Sequence, residues 1–307
     1  MRTITPALSI VCALLGAVQA QAQEGRLTLV REARCADLFG EGLDRYEASG
    51  VEFDGEQLRV VFDNSWKLGI VSPQLEASSA KLVDPDPRLR GSSDLEGLAY
   101  DAQGRLWGVV EGARLKTGGV HGLLVAYAKD SAVGPAKLPG ELKDGGKGYE
   151  GLACVERDGK TVLLCLLEGN HGEGGDRGKD KGHGRIHAYV LDPAAKELPQ
   201  PQVLEVPATA AFKDYSGIDV DGDRVAIVSQ SSAKLWVGAF EPGTLKFAGP
   251  GRVYGFPVEE GAKKTTFDRV EGVVWLDAQT LACVSDRAKP DESDAHDQAI
   301  HVVRLPE

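Results

Sequence analysis

The amino-acid sequence predicts an all-β protein, a single five-bladed β-propeller closed by an N-terminal strand in the last blade. Three observations predict it. The 38 glycines and 15 prolines punctuate short apolar runs instead of interrupting helical patterns. One short phrase occurs five times: Ala48-Ser49-Gly50-Val51, Leu95-Glu96-Gly97-Leu98, Tyr149-Glu150-Gly151-Leu152, Tyr215-Ser216-Gly217-Ile218 and Val270-Glu271-Gly272-Val273. Its second residues, at 49, 96, 150, 216 and 271, are separated by 47, 54, 66 and 55 residues, intervals that suit four-stranded blades with loop insertions.

Residues 1–22 read as a cleaved signal, with Arg2, an apolar run from Ala7 to Val18, and the small-residue cleavage motif Ala20-Gln21-Ala22. The run is short for a bilayer span, and no later stretch approaches the roughly 20 apolar residues that spanning requires. Cys12 follows Val11 and not a small residue, which argues against a lipid anchor. Residues 23–307 are then the mature domain, periplasmic or secreted from a bacterium, a monomer with no membrane insertion after signal cleavage. Arg26 to Val30 is assigned as the strand that closes the ring beside 300–305, because the last unit reaches Glu307 without room for a fourth strand of its own.

Each phrase opens a strand that runs into a turn, at Asp54-Gly55, Gln103-Gly104, Asp158-Gly159, Asp221-Gly222 and Asp277-Ala278, and a second apolar strand follows. The second strands end in polar groups: Asp63-Asn64, Glu111, Glu168, Ser229-Gln230 and Ser285-Asp286. Opposed residues in an antiparallel hairpin have a constant sum. The midpoints of 49/63, 96/111, 150/168, 216/229 and 271/286 all fall in the turns, so the start of each first strand should lie beside the end of the second. Third strands follow at Leu68–Val71, Leu123–Ala128, Ile186–Leu191, Leu235–Phe240 and Ile300–Leu305, and weaker fourth strands complete the first four units.

Composition narrows the partners. With 35 Lys and Arg against 46 Asp and Glu, the net charge of -11 argues against nucleic acid. The mature chain keeps Cys35, Cys154, Cys165 and Cys283, with no Cys-x-x-Cys pair, so the cysteines suggest neither zinc binding nor a thioredoxin-like motif. If Glu150 faces Glu168, Cys154 and Cys165 fall on opposite faces of their hairpin and are expected to be unbonded, buried and apolar in character. A bridge between Cys35 and Cys283 stays open. Trp66, Trp107, Trp236 and Trp275 are expected to pack between blades.

Innermost propeller strands surround the axis, so Ser49, Glu96, Glu150, Ser216 and Glu271 should ring one mouth, with Asp63, Glu111, Glu168, Ser229 and Asp286 beside them. The candidate metal ligands are Asp63, Glu96, Glu111, Glu150, Glu168, Glu271 and Asp286, and the cation suited to such oxygens is calcium. The alternative with equal weight is that each Glu accepts backbone hydrogen bonds from the next blade and staples the ring. Three long loops leave the same face, and each leads to a histidine, giving acid, acid, histidine in three blades: Glu96, Glu111, His121; Glu150, Glu168, His183; Glu271, Asp286, His296. His121 and His183 are the candidate acid or base residues. Arg114, Asn170, Lys234, Arg287 and His296 are candidates for holding a ligand, and Lys67 belongs to the same recurring set of cations.

Three motif matches fail. Around Gly174 to Lys179 the Walker spacing is absent; Asp219 to Asp223 lacks the Gly and Glu of a calcium loop; and no Gly-x-Ser-x-Gly elbow occurs.

The five phrases and the acidic or Ser ends of the second strands resemble the SdiA-regulated (YjiK-like) family of exported bacterial propellers. Asp94-Leu95-Glu96-Gly97-Leu98-Ala99 also resembles the esterase-like domain of phytases. The first resemblance implies a propeller with a polar axial mouth that holds calcium and has no established reaction; the second implies phosphoester hydrolysis. Two functions follow as expectations. One is an exported propeller binding a cation and a small ligand or protein partner. The alternative is a metal-dependent phosphoester hydrolase with Glu96, Glu150, Glu168 and Glu271 on the ion and His121 or His183 as acid or base.

Overall fold

The computed structural model describes residues 25–307 apart from 86–88, 90, 117, 129–130, 143–147, 172–180, 192–197, 262–263, 268 and 289–294. The assigned signal and the region of the rejected Walker match lie outside the described residues. Two N-terminal strands, β1 (Gly25–Arg26) and β2 (Thr28–Arg34), lead into a short helix, α1 (Cys35–Phe39). Five antiparallel units follow, each in sequence order from the axis outward. Blade one is β3 (Ala48–Phe53), β4 (Leu58–Phe62), β5 (Ser65–Val71) and β6 (Lys81–Val83). Blade two is β7 (Leu95–Tyr100), β8 (Leu106–Arg114), β9 (Val120–Ala128) and β10 (Ser131–Lys137). Blade three is β11 (Tyr149–Arg157), β12 (Lys160–Leu167), β13 (Arg185–Leu191) and β14 (Gln202–Glu205). Blade four is β15 (Gly217–Asp221), β16 (Arg224–Ser229), β17 (Lys234–Ala239) and β18 (Arg252–Gly255). Blade five is β19 (Val270–Trp275), β20 (Thr280–Ser285) and β21 (Ala299–Arg304), completed by β2.

The ring closes as the sequence predicts, with the strand a few residues longer and later than 26–30. Strand β2 pairs antiparallel with β21 from Thr28 opposite Arg304 to Arg34 opposite Ala299. An unpredicted pairing is added: β1 runs parallel to β18, with Gly25 opposite Tyr254 and Arg26 opposite Gly255. The first ten described residues therefore bind two neighbouring blades, and each pairing covers a sheet edge. Apolar side chains fill the blade interfaces, as in the cluster that joins Trp236, Phe240, Ile227 and Ile218 of blade four to Leu164, Ile186 and Ala188 of blade three. Trp236 and Trp275 are buried there and Trp66 and Trp107 pack against the clusters, the interblade role expected of them.

The hairpin register carries a correction. Within β3/β4, β7/β8, β11/β12 and β19/β20 the pairing shifts by one at Ser49, Glu96, Glu150 and Glu271. The repeated phrase is a β-bulge, in which the Ser or Glu and the following Gly together oppose one partner residue. Asp63, Glu111, Glu168 and Asp286 consequently bond through their amides to the carbonyls of Glu47, Asp94, Gly148 and Arg269, each two residues before the bulge.

The bulge also corrects the cysteine argument. Cys154 faces Leu163 and Leu152 faces Cys165, so the two thiols share one face as diagonal neighbours. They remain free because diagonal partners stand about 7–8 Å apart, beyond disulfide reach. All four described cysteines are free, Cys35 and Cys283 included; Cys35, Cys165 and Cys283 are buried, and Cys154 is partly exposed.

The phrase's glycine explains the tight centre. Gly50, Gly97, Gly151, Gly217 and Gly272 form a ring in which each meets the backbone of the next blade. A Cβ on Gly97 would lie 2.4 Å from the Leu152 nitrogen, and one on Gly217 would lie 2.2 Å from the Glu271 carbonyl oxygen. The axis is pinched there to a cavity of about 10 Å³, so the propeller has a shallow mouth and no through-channel at this level.

Candidate functional site

Above the glycine ring the bulges lift Glu96, Glu150 and Glu271 out of the ladder, while the ends of the second strands supply Asp63, Glu111, Glu168 and Asp286. The structure brings these seven candidates together with Glu47, which the sequence analysis missed. Glu111, Glu150 and Glu168 each place a carboxylate oxygen within 4.8 Å of the others. Glu96 feels the charges of Glu271, Asp63 and Glu111, and Glu271 those of Asp286, Glu150 and Asp63.

Electrostatics and burial strain this cluster. Glu96 is 8% exposed and accepts no hydrogen bond among the described residues. Burial first, then Glu271, Asp63 and Glu111, push its carboxyl well above the ordinary range. Burial and Asp286, Glu150 and Asp63 do the same to Glu271, offset in part by Arg269. Asp63 is raised to about 8 by burial, Glu47 and Asp286. Asp286 is raised to about 6, chiefly by burial. One oxygen each of Asp63 and Asp286 is buried with no hydrogen-bond partner. Gln230 donates to Glu271, the Gly148 amide donates to Glu111 at 3.3 Å, and Arg45 pairs with Glu47 at 2.8 Å.

Stapling between blades falls to Glu111, through the Gly148 amide of blade three, and to residues outside the acidic cluster. Glu52, two residues after Gly50, accepts from the Tyr100 amide of the next blade at 3.2 Å, and Asp219, two after Gly217, accepts from the Trp275 amide at 2.8 Å. Ser49 donates to the Leu95 carbonyl, and Ser216 to that of Val270 at 3.1 Å. Of the two roles weighed for the mouth residues, the serines and Glu111 staple, and among the described residues Glu96 has no such bond.

The histidines do not complete the acid, acid, histidine order. His121 is buried and its Nδ1 lies 2.8 Å from the Gly140 carbonyl, whereas the His183 amide donates to Asn170. Neither imidazole bonds to a carboxylate among the described residues. His296 belongs to a separate group with Glu32 and His301. Asn170 is 2% exposed and committed to the chain, donating to the carbonyls of Phe212 and Lys213 at 3.1 and 2.9 Å. Lys67 donates to the Gly42 carbonyl at 2.7 Å. Lys234 lines a cavity of about 410 Å³ with Thr209, Phe212 and Tyr254, while Arg114 and Arg287 are exposed. A cavity of about 1050 Å³ lies away from the mouth, in a groove lined by Val203 and Leu204 of blade three and Leu245 and Phe247 of blade four.

The sequence analysis also missed the group in blade five. Glu32 on β2 and His301 on β21 are paired across the ladder, and Ser285 on β20 is diagonal to His301. His296 Nδ1 and His301 Nδ1 lie 2.6 and 2.8 Å from one oxygen of Glu32, and Ser285 Oγ lies 2.6 Å from His301 Nε2. A serine, histidine and carboxylate in this order are the parts of a nucleophilic triad. Ser285 and His301 are 0% exposed, so no substrate reaches the hydroxyl.

No family model and no curated protein matches the chain. Solved structures do. The PQQ-bound aldose sugar dehydrogenase of Streptomyces coelicolor is 13% identical, with 92% of this chain and 99% of that one covered, at a TM-score of 0.51. The glutaminyl cyclase of Myxococcus xanthus is 14% identical over 92% and 98% of the two chains, also at 0.51. This chain is a β-propeller. At such identities the likeness is one of fold, and it transfers neither reaction. Among the described residues no helix is long and apolar enough to cross a membrane.

Proposed function

We propose that this protein is an exported propeller of the SdiA-regulated type that binds calcium at its acidic axial mouth and, with the ion in place, a small ligand or protein partner. The observation that carries the reading is Glu96, a carboxylate nine-tenths buried, without a hydrogen bond among the described residues and facing Glu271, Asp63 and Glu111. A buried charge without a partner is expensive, and a cation shared with its neighbours removes the cost. The donor set suits calcium: ligands 2.3–2.6 Å from one ion stand up to about 5 Å apart, and Glu111, Glu150 and Glu168 lie within 4.8 Å of one another. A mouth assembled from different blades also favours the flexible geometry of calcium over the tight octahedron of magnesium. The hydrolase alternative needs an acid or base at the carboxylates, and His121 and His183 bond to none of them among the described residues.

The test is metal analysis of purified protein and calorimetric titration of chelator-treated protein with calcium and magnesium, alongside a phosphoester and carboxyester panel. Calcium should bind in preference to magnesium, and Glu96→Gln with Glu150→Gln should abolish binding. Equal behaviour of variant and wild type in millimolar calcium would refute the reading.

A further inference from the structure

The cluster in blade five is distinct from the mouth in chemistry as well as position. Glu32, His296 and His301 offer two imidazole nitrogens and one carboxylate oxygen, all within 4.8 Å of one another. Each residue comes from a different part of the closing seam: β2, the segment before β21, and β21 itself. The imidazoles are fixed in direction. Phe267 stacks on His296 with centroids 3.8 Å apart and planes at 14°, and meets His301 edge-on at 5.1 Å.

The protons show what the arrangement is suited to. When both Nδ1 atoms carry hydrogen and donate to Glu32, the Nε2 of His296 is a bare lone pair, buried and without a hydrogen-bond partner among the described residues. The nearest ionic group to it is a carboxylate, Glu259, at 3.6 Å, which cannot donate. If each proton sits on Nε2 instead, the His296 contact becomes complementary too, while the Ser285 contact, in which the hydroxyl donates in the first tautomer, is kept with its direction reversed. His301 then donates to Ser285 Oγ at 2.6 Å, and His296 points its N–H at Glu259. In that tautomer both Nδ1 lone pairs converge with Glu32. This is the outer-shell pattern of metal-bound histidine, whose remaining N–H goes to a hydroxyl or carboxylate.

We propose that Glu32, His296 and His301 form a site for a divalent transition metal of the zinc class, which fastens the closing strand β2 to β21. Two imidazoles and a carboxylate suit zinc or cobalt, whereas calcium prefers oxygen alone. No net proton is released by the neutral imidazoles, since each moves its hydrogen from Nδ1 to Nε2. Ligand atoms about 2.0–2.1 Å from a tetrahedral ion stand roughly 3.3 Å apart. The present 2.6 and 2.8 Å contacts must therefore open by about 0.7 and 0.5 Å, a movement open to the Glu32 side chain, which is 24% exposed. Glu259, 3.6 Å from His296 Nε2, has a side chain 58% exposed.

The test uses chelator-treated mature protein titrated with zinc by calorimetry and with cobalt by visible absorption. One equivalent should bind wild type and the mouth variant Glu96→Gln/Glu150→Gln alike, so failure of the calcium reading and failure of this one are distinguishable. His296→Gln and Glu32→Gln should each weaken binding at least tenfold and remove the rise in melting temperature that zinc gives wild type. If a variant does not fold, zinc-induced shifts of the wild-type His296 and His301 imidazole resonances decide the matter. Absence of binding at micromolar zinc overturns the site, as does binding unchanged in His296→Gln, binding lost in the mouth variant, or unmoved His296 and His301 resonances.

Discussion

Replacing Asp286 with Asn tests whether the mouth is held at an electrostatic cost. Its carboxyl is raised from 3.8 to about 6, chiefly by burial, and one of its oxygens has no partner. The folded-state value lies above the unfolded one, so the favourable contribution is complete below about pH 4 and is lost as the pH rises through 6. The shift corresponds to about 3 kcal/mol at 1.36 kcal/mol for each pH unit, an upper figure for a group still in part solvated. Without metal at pH 8, Asp286→Asn should be more stable than wild type by up to that amount. For a domain this large the gain is about 6 °C in melting temperature. The difference should shrink to nothing near pH 4. In saturating calcium the sign should reverse, because the variant has lost a charged ligand. Thermal melts at pH 4, 6 and 8, in chelator and in calcium, read all of this. A variant less stable than wild type in chelator at pH 8 would show that Asp286 is compensated and refute the reasoning.

Gly97→Ala should lower the melting temperature by several degrees, since its Cβ would meet the Leu152 nitrogen at 2.4 Å and neither backbone can withdraw; an unchanged melt would show that the glycine ring yields. Deleting residues 23–34 should destabilise the whole domain, because it strips β21 of the pairing from Thr28 to Arg34 and β18 of its parallel partner; a truncation with a wild-type melting temperature would contradict this. Cys35, Cys165 and Cys283 should resist thiol reagents until the protein unfolds, because burial raises their thiols far above the ordinary range; Cys154, raised to about 12, should also be slow, and prompt labelling of any of the four in native buffer would count against the packing described.

The repeat made the blades legible, because five copies of one phrase with a turn at each midpoint leave little freedom in hairpin placement. The one-residue error has a physical cause. A bulge at Glu150 adds a residue to one strand and moves the midpoint by only half a position, which stays inside the turn signal. The acidic mouth was legible for the same reason as the blades, since Glu96, Glu150 and Glu271 sit at equivalent positions. The staples were not. Glu52 and Asp219 have Ala99, Ala153 and Val274 as their counterparts, so no periodicity marks them. His183 and His296 lie outside the strands, where no ladder register places them, and His121, though on β9 opposite Ala113, turns to the Gly140 carbonyl. Glu32 and His301 lie in strands at opposite ends of the sequence, and only the closed ring makes them neighbours.

Ring closure also sets an order in time. Thr28 is partnered with Arg304, so a strand among the earliest to be synthesised must wait for one among the last. A chain emerging from the ribosome can build blades one to four as each hairpin is completed, because those contacts are local. Blade five cannot finish until the final strand arrives, and contacts between such distant residues form slowly. Until then the edge of β18 also depends on β1, two residues held from one side only. The protein should spend its last folding step as an open arc, and the meeting of Glu32 with His301 marks the moment the arc becomes a ring.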